Sequence, residues 1–516
     1  MASKPSTKSP HVVLLPFPLL GHLLPTMGLA KKLASNGLVV SFMCAEHRFE
    51  NVQRAHAAQG GDPRIRLVSL PDKVPRGEII LDAGLDSVIW TAEGTEKVVD
   101  SFEKLIDSMM EDLEEDILSP GPPVCIISET FLSWTQDIAN KWGIERYVFD
   151  PSPAAFMSTV FHVPTLIAEG RLPLHFSQHK LDNENTNGLI AVPGLPPLHE
   201  SDFHTSLQDI SPKFMHDFFI RHCLRVTEAS GILMNTFYEL EPTAIDTLRS
   251  RSSNKGIVIQ PVGPLLPSVV FGSDAPEIMK QRSFLSPDDR KCLQWLDSQA
   301  NSSVVYVAFG SMGSPSEEQI YELALGLEAS KQPFLWVLRR PFKADVTQQI
   351  LHARPAVHDL LPQGFLNRTE KQGLVVSTWA PQLLVLAHPA TGSFLTHCGW
   401  NSTLESICMG VPLLTFPQFA DQRQICRMLV DQLKIAGELH RREDGLSPKE
   451  EIEKKLSLFK TGGEGDAMRE RARQLRDAAR KSVSPGGSSQ MQLEEFAQSM
   501  SQKAELRRNT RKLQQN

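Results

Sequence analysis

Residues 393–406 read SFLTHCGWNSTLES, and how they are read decides the fold. Ser393 to Thr396 closes an apolar, strand-like run, and His397, Gly399, Asn401, Ser402 and Glu405 crowd directly after it. A buried strand that passes through a glycine into a helix-forming run is the repeating unit of a parallel α/β sheet. At such a turn the first N–H groups of the helix have no intrahelical acceptor, and the positive end of the helix dipole adds to them. The result is an anion site suited to phosphate. Asn401 and Ser402 can add side-chain donors, whereas Glu405, one turn on from Asn401, only accepts when ionised. A carboxylate suits a pair of ribose hydroxyls, so the two halves of the turn describe a nucleotide. Taken alone, the same residues also describe a capped helix with an incidental glutamate.

The stretches on either side favour the nucleotide. STWAPQ (377–382) ends the preceding strand with Trp379, whose flat face can stack on a base. FPQFADQ (416–422) ends the following strand with Asp421 and Gln422, a hydrogen-bonding pair suited to sugar hydroxyls. Further out, VVYVAFGS (304–311), FLWVLR (334–339), LVVSTW (374–379), GSFLTH (392–397) and VPLLTF (411–416) alternate with helical stretches, one of them starting near Ser316. The amino-terminal half repeats the pattern with HVVLLPF (11–17), LVVSFMC (38–44), VCIISE (124–129) and GILMNTF (231–237). A helix is predicted to start near Pro25, a good first-turn residue, and to end before Gly37. The prolines and glycines of 255–268 mark an interdomain linker. The expected organisation is therefore 1–254, the linker 255–268, a second unit 269–483, and a helix with its tail over 484–516 that packs back toward the first unit. Residues 340–362 read as a surface loop, Ser489 and Gln492 as the capping box of the last helix, and RRNTRK (507–512) as a frayed basic tail. No fixed-period repeat appears beyond the coarse duplication. Two doubly wound units side by side make a cleft, with its site at the carboxyl ends of the strands.

Composition narrows the function classes. The 516 residues are 41% hydrophobic and 22% charged, an ordinary globular balance for more than one core. A net charge of −7, from 53 basic and 60 acidic residues, gives no electrostatic case for nucleic acid. The seven cysteines (44, 125, 223, 292, 398, 408, 426) are odd in number and contain no CxxC pair. They read as reduced thiols in a cytoplasmic protein, not as disulfides or a zinc site. The apolar run near the start is broken by Pro16, Pro18, Gly21, His22 and Pro25, unlike a signal core. No stretch has the roughly 18 uncharged apolar residues of a membrane span. A soluble, unexported monomer is expected.

Residues 379–422, WAPQLLVLAHPATGSFLTHCGWNSTLESICMGVPLLTFPQFADQ, resemble the signature box of the plant family 1 UDP-glycosyltransferases. PFPLLGHLLP (16–25), FGS (309–311), GPLLP (263–267) and the chain length agree with that family, so the resemblance covers nearly the whole chain. It implies the GT-B fold, an α/β architecture of two Rossmann-like domains facing each other across a cleft. It further implies that Trp379 stacks on uracil, with Ala380 and Gln382 holding base and ribose and Glu405 taking the ribose hydroxyls. His397, Gly399, Asn401, Ser402 and Ser311 would hold the diphosphate. Trp400, Asp421 and Gln422 would contact the sugar, Gln422 favouring UDP-glucose as donor. No cofactor is implied, and no Asp-x-Asp cluster suggests a metal.

In the first half His22 follows a strand end, where an isolated histidine commonly satisfies a backbone group. Its G-H-x-x-P context matches the family's catalytic base, which takes the proton of an acceptor hydroxyl as that oxygen attacks the anomeric carbon. Attack opposite the departing UDP inverts the sugar, and the charge building on UDP falls on the helix N-terminus. The family's orienting carboxylate is an aspartate, whereas CIISETF (125–131) has Glu129 in that place. Glu129 keeps the charge but adds a methylene, so it either reaches His22 or misses it. Asp137, further on, reads as a surface residue. Loops at 80–90, 152–157 and 193–203, largely apolar, are expected to line a pocket for a small lipophilic acceptor such as a flavonoid, phenol or terpenoid. Two rival readings stand beside this one: a UDP-sugar-binding protein impaired by Glu129, and a sugar-nucleotide epimerase or dinucleotide oxidoreductase. The oxidoreductase reading is disfavoured because LLGHLLP stands where G-x-G-x-x-G belongs.

Overall fold

A computed structural model describes residues 9–58, 61–72, 94–111, 121–176, 188–267, 270–271, 286–339, 357–377, 379–460 and 464–515. The first sheet holds β1 (His11–Leu15), β2 (Val39–Ala45), β3 (Ile65–Leu70), β4 (Cys125–Glu129), β5 (Glu145–Asp150), β6 (Gly231–Met234) and β7 (Val258–Pro261). Their order is β3-β2-β1-β4-β5-β6-β7, with every neighbouring pair parallel. The second sheet holds β8 (Val304–Ala308), β9 (Phe334–Val337), β10 (Gly373–Val376), β11 (Thr391–Thr396), β12 (Leu413–Thr415) and β13 (Ala436–Glu438). It runs β10-β9-β8-β11-β12-β13, again all parallel. Strands β1, β4, β8 and β11 are buried at every residue, which is why they read as unbroken apolar runs and not as alternating ones. In both sheets the strand order reverses beside the first strand of the unit, between β1 and β4 and between β8 and β11. Crevices open at such reversals, at the carboxyl ends of the strands.

Helix α1 spans Leu20–Ser35 and so begins before Pro25, not at it. His22 therefore lies in the first turn of the helix. A proline inside a helix leaves the carbonyl four residues back without its donor, here that of Gly21. The amide Nδ2–H of Asn401 supplies the missing bond at 2.8 Å, from helix α2 (Trp400–Met409) of the other half. Further bonds close the seam: Trp400 Nε1–H to the carbonyl of Asn235 at 2.8 Å, and Gln424 Nε2–H to that of Ala155 at 2.8 Å. Thr205 and Ala420 are joined twice, by Thr205 N–H to the Ala420 carbonyl at 3.2 Å and by Ala420 N–H to Thr205 Oγ1 at 3.1 Å.

Three other expectations change. The linker at 255–268 contains β7, so the crossing between the halves starts after Pro261. The last helix, α3, spans Ser488–Gln515 and starts with Met491 N–H bonded to the Gly487 carbonyl. Ser489 Oγ is buried without a partner among the described residues, so the capping box at Ser489 and Gln492 does not form there. The basic stretch is helical, and Arg507 donates to the carbonyls of Gly143 at 2.6 Å and Pro123 at 3.2 Å. Leu493, Phe496, Ala497 and Met500 of α3 pack into the same core as Val12, Leu14 and Leu29. All seven cysteines are free and buried. Among the described residues no helix is long and apolar enough to cross a membrane.

Candidate active site

The end of β11 builds the anion side. Gly399 is the N-cap of α2 and offers no side-chain cap, so the N–H groups of the first turn face the crevice without an intrahelical acceptor. His397 is wedged between two glycines. A Cβ on Gly310 or on Gly399 would lie 2.4 Å from its Nε2. Gly310 also has φ of 75°, a left-handed turn, and the carbonyl of the next residue, Ser311, accepts from Arg339 at 3.4 Å. Burial pushes the His397 imidazole down to about 4, so the ring is neutral at pH 7, and its Nδ1 has no partner among the described residues.

One turn along α2 a hydrogen-bonded group of side chains is already in place. Gln382 Nε2–H donates to Glu405 Oε2 at 2.6 Å and to Ser402 Oγ at 3.0 Å, and Tyr306 O–H donates to Gln382 Oε1 at 3.2 Å. Burial outweighs the Gln382 bond and pushes the Glu405 carboxyl up to about 7. Trp379 is 52% exposed, while Ala380 beside it is buried. The Arg339 guanidinium lies 5.3 Å from the Trp379 ring centroid. Trp400 turns its indole away into the core and onto Asn235, which leaves its backbone N–H at the crevice. Gln422 Oε1 accepts from the N–H groups of Gln418 at 2.8 Å and Phe419 at 3.1 Å, so its amide nitrogen remains to donate. Asp421 has its carboxyl pushed up to about 6, mainly by burial and then by the charge of Asp150, with a Ser152 hydrogen bond opposing.

Across the seam His22 Nδ1–H donates to Glu129 Oε2, so the additional methylene of glutamate does not break the pair. Thr26, one turn after His22, donates to the His22 carbonyl at 2.8 Å and to Glu129 Oε1 at 3.2 Å. Burial pulls the His22 imidazole down, but the Glu129 charge and hydrogen bond, with Asp150 and Asp421 behind, hold it above its ordinary value. Burial likewise raises Glu129 against the opposing pull of His22. Both shifts point one way: the pair keeps a shared proton to higher pH than an isolated imidazole. With Nδ1 committed to Glu129, Nε2 is the free nitrogen. Asp137 is on the surface, paired with Arg225 at 2.7 Å.

Several groups went unread in the sequence. Asp150, 2% exposed at the end of β5, accepts from Thr130 Oγ1 at 2.6 Å and from Ser152 N–H at 2.9 Å. The strand-end rule that found Glu129 applies equally to Asp150. An aromatic group gathers at His22: the Phe17 ring lies 5.4 Å from that of His22 and 5.8 Å from Phe131. His204 stacks on Phe219 at 4.4 Å and also meets Phe156, one of the residues expected to line the pocket. No local pattern announces Phe218 or Phe219, which arrive from a helix (Lys213–Leu224) far along the chain. The expected lining loop at 80–90 lies outside the described residues.

The family model described as UDP-glucoronosyl and UDP-glucosyl transferase matches residues 259–438. UDP-glycosyltransferase 72B1 of Arabidopsis thaliana is 34% identical over 485 residues, 94% of each chain. Hydroquinone glucosyltransferase of Rauvolfia serpentina is 31% identical over 494 residues, 95% of this chain and 97% of that one. Among solved structures, Phytolacca americana UGT2 complexed with UDP-2fluoro-glucose and pterostilbene superposes with a TM-score of 0.76 at 31% identity, covering 96% of this chain and all of that one.

Proposed function

The chain belongs to the plant family 1 UDP-glycosyltransferases of GT-B fold and transfers a glycosyl group from a UDP-sugar to small plant acceptors; from that premise we propose a single-displacement, inverting transfer of glucose with His22 as general base. The observation that carries this reading is the His22–Glu129 pair, set by the Asn401–Gly21 bond against the uncapped first turn of α2.

In the proposed step Nε2 of neutral His22 takes the proton of an acceptor hydroxyl while that oxygen bonds to the anomeric carbon. The bond from that carbon to the UDP oxygen breaks, and its electron pair leaves with UDP. Glu129 holds the ring in the correct tautomer and balances the imidazolium that forms, while Thr26 holds Glu129. General-base help of this kind is worth about 10²–10⁴ in rate. The charge left on UDP meets the N–H groups after Gly399, with His397, Asn401, Ser402 and Ser311 around the diphosphate, and no metal is required of the step. Trp379 offers its exposed face to uracil, with Ala380 and Gln382 beside it, and Glu405 takes the ribose hydroxyls. Asp421, the Gln422 amide and the Trp400 N–H would contact the sugar, and Gln422 favours glucose in this reading. The aromatic group around Phe17 and Phe131 suits a flat lipophilic acceptor.

The test is to incubate the protein with UDP-glucose and a panel of phenols, flavonoids and terpenoid alcohols, following UDP release and product mass. A hexose mass gain with β configuration, lost in His22→Ala, supports the reading. A product of α configuration, or full activity in His22→Ala, refutes it.

A further inference from the structure

Two buried ionisable groups of β5 have no part in the step proposed above. Arg146 is fully buried and Asp150 is 2% exposed. Burying a charge without a partner is costly, so what holds each of them calls for an explanation. Arg146 Nε–H donates to Ser128 Oγ and to Thr135 Oγ1, each at 2.9 Å, and its Nη2–H to the Glu129 carbonyl at 3.2 Å. Thr135 in turn donates to the Leu132 carbonyl at 2.7 Å. Asp150 accepts from Thr130 Oγ1 at 2.6 Å and from Ser152 N–H at 2.9 Å. Both groups of β5 are therefore spent on the chain around Glu129.

Arg146 and Asp150 stand four residues apart, so they share one face of β5. That strand runs parallel beside β4, with Phe149 opposite Glu129. Glu129 ends β4 and leads into a single turn (Thr130–Leu132), which its side chain does not cap. The carboxylate goes to α1 instead, to His22 and Thr26. Where it lands depends on how the turn is held, and β5 holds that turn twice: at the Glu129 carbonyl and at the very next side chain.

We propose that Asp150 is a positioning residue for the base, fixing the turn after Glu129 through the Thr130 hydroxyl so that the carboxylate meets His22. This deepens the proposed function and rests on it. Asp150 makes and breaks no bond in the reaction; it acts through Thr130, and Arg146 holds the same turn one residue earlier.

The test takes Thr130→Val and Asp150→Ala, singly and together, and Thr130→Val again in Glu129→Gln, with Thr130→Ser as the conservative variant. Initial rates are read with UDP-glucose and 2-naphthol. Each single variant is expected to lower kcat about tenfold with KM for UDP-glucose unchanged, and the two together no further, because they break one bond. Thr130→Ser should recover the rate. In Glu129→Gln the Thr130→Val change should cost nothing more, whereas damage to the fold costs the same in both backgrounds. A second readout needs no turnover: carbethoxylation of His22 by diethyl pyrocarbonate against pH, mapped by mass spectrometry, on a ring that is 22% exposed. The ionisable groups that face His22 are Glu129, Asp150, Asp421 and His204, and Thr130→Val replaces none of them. Its midpoint should nevertheless fall, because Glu129 no longer meets the ring, and should not fall further in Glu129→Gln. A wild-type rate and midpoint in Glu129→Gln refute the underlying base pair. A changed Glu129→Gln beside an unchanged Thr130→Val, or an equal loss from Thr130→Val in both backgrounds, overturns this inference alone. Should Thr130→Val not fold, Thr130→Ala makes the same comparison.

Discussion

Glu129→Asp restores the residue type the family carries at this position, yet here it is expected to impair the enzyme. The carboxylate now meets His22 Nδ1, accepts from Thr26 at 3.2 Å and takes the Phe17 backbone N–H. Removing a methylene withdraws it by about 1.5 Å, beyond hydrogen-bond reach of the imidazole unless the backbone follows. β4 is parallel-paired on both sides and buried at every residue, so the backbone is held. A misplacement of that size costs on the order of 10² in kcat. Glu129→Gln keeps the reach but loses the charge, and the loss should approach the full 10²–10⁴ of general-base help. Initial rates of UDP release at saturating UDP-glucose measure both. The pH profile separates them: in the wild type the acid limb of kcat/KM lies above the ordinary imidazole value near 6.5, because the Glu129 charge overcomes burial. In Glu129→Gln only the charges of Asp150 and Asp421 still oppose burial, and the limb moves to lower pH. An Asp variant as fast as the wild type, or an unmoved limb in the Gln variant, refutes the reasoning.

Three further outcomes are expected. Glu405, held at about 7, must ionise to accept ribose hydroxyls, so KM for UDP-glucose should rise about tenfold between pH 8 and pH 6 and lose that dependence in Glu405→Gln. For the unliganded fold the sign is opposite: a raised carboxyl contributes stability below its ordinary pKa that is lost as pH rises through about 7, which thermal melts can read. Gly399→Ala puts a Cβ 2.4 Å from His397 Nε2 without backbone strain, since φ there is −60°. Displacing the ring should weaken UDP binding by roughly tenfold in calorimetry, and unchanged affinity would remove His397 from the site. Chelation with EDTA should leave the rate unchanged, and restoration of a chelator-lost rate by a divalent ion would contradict the proposed metal-free step.

The turn from β11 into α2 was legible because its geometry is local. One strand, one glycine and one helical turn carry Gly399, Asn401, Ser402 and Glu405, and spacing alone sets their faces. The base half was harder because its partners come from far along the chain. Pro25 reads as a first-turn residue, but α1 starts at Leu20, since the bond that Pro25 cannot make is supplied from residue 401. Whether Glu129 reaches His22 depends on the spacing between β1 and β4, which no motif encodes. Trp400 sits inside the motif and still turns its ring into the core, because its neighbour Asn235 lies in the other half. Asp150 shares no motif with His22; only the carboxyl edge of the first sheet brings the two near each other.

The bond between Asn401 and Gly21 has a kinetic meaning. Asn401 has two amide hydrogens, and one is committed to the carbonyl immediately before the base. In the proposed donor complex the second hydrogen goes to the diphosphate, so one amide would touch both the donor and the turn that carries His22. On that proposal the empty and donor-loaded enzymes differ in what holds the turn of His22. We therefore expect compulsory order, donor first and UDP last. Product inhibition by UDP should then be competitive against UDP-glucose and noncompetitive against the acceptor, whereas random-order patterns would separate the two sites. A hydrogen that proline lacks becomes, in this account, the clock of the catalytic cycle.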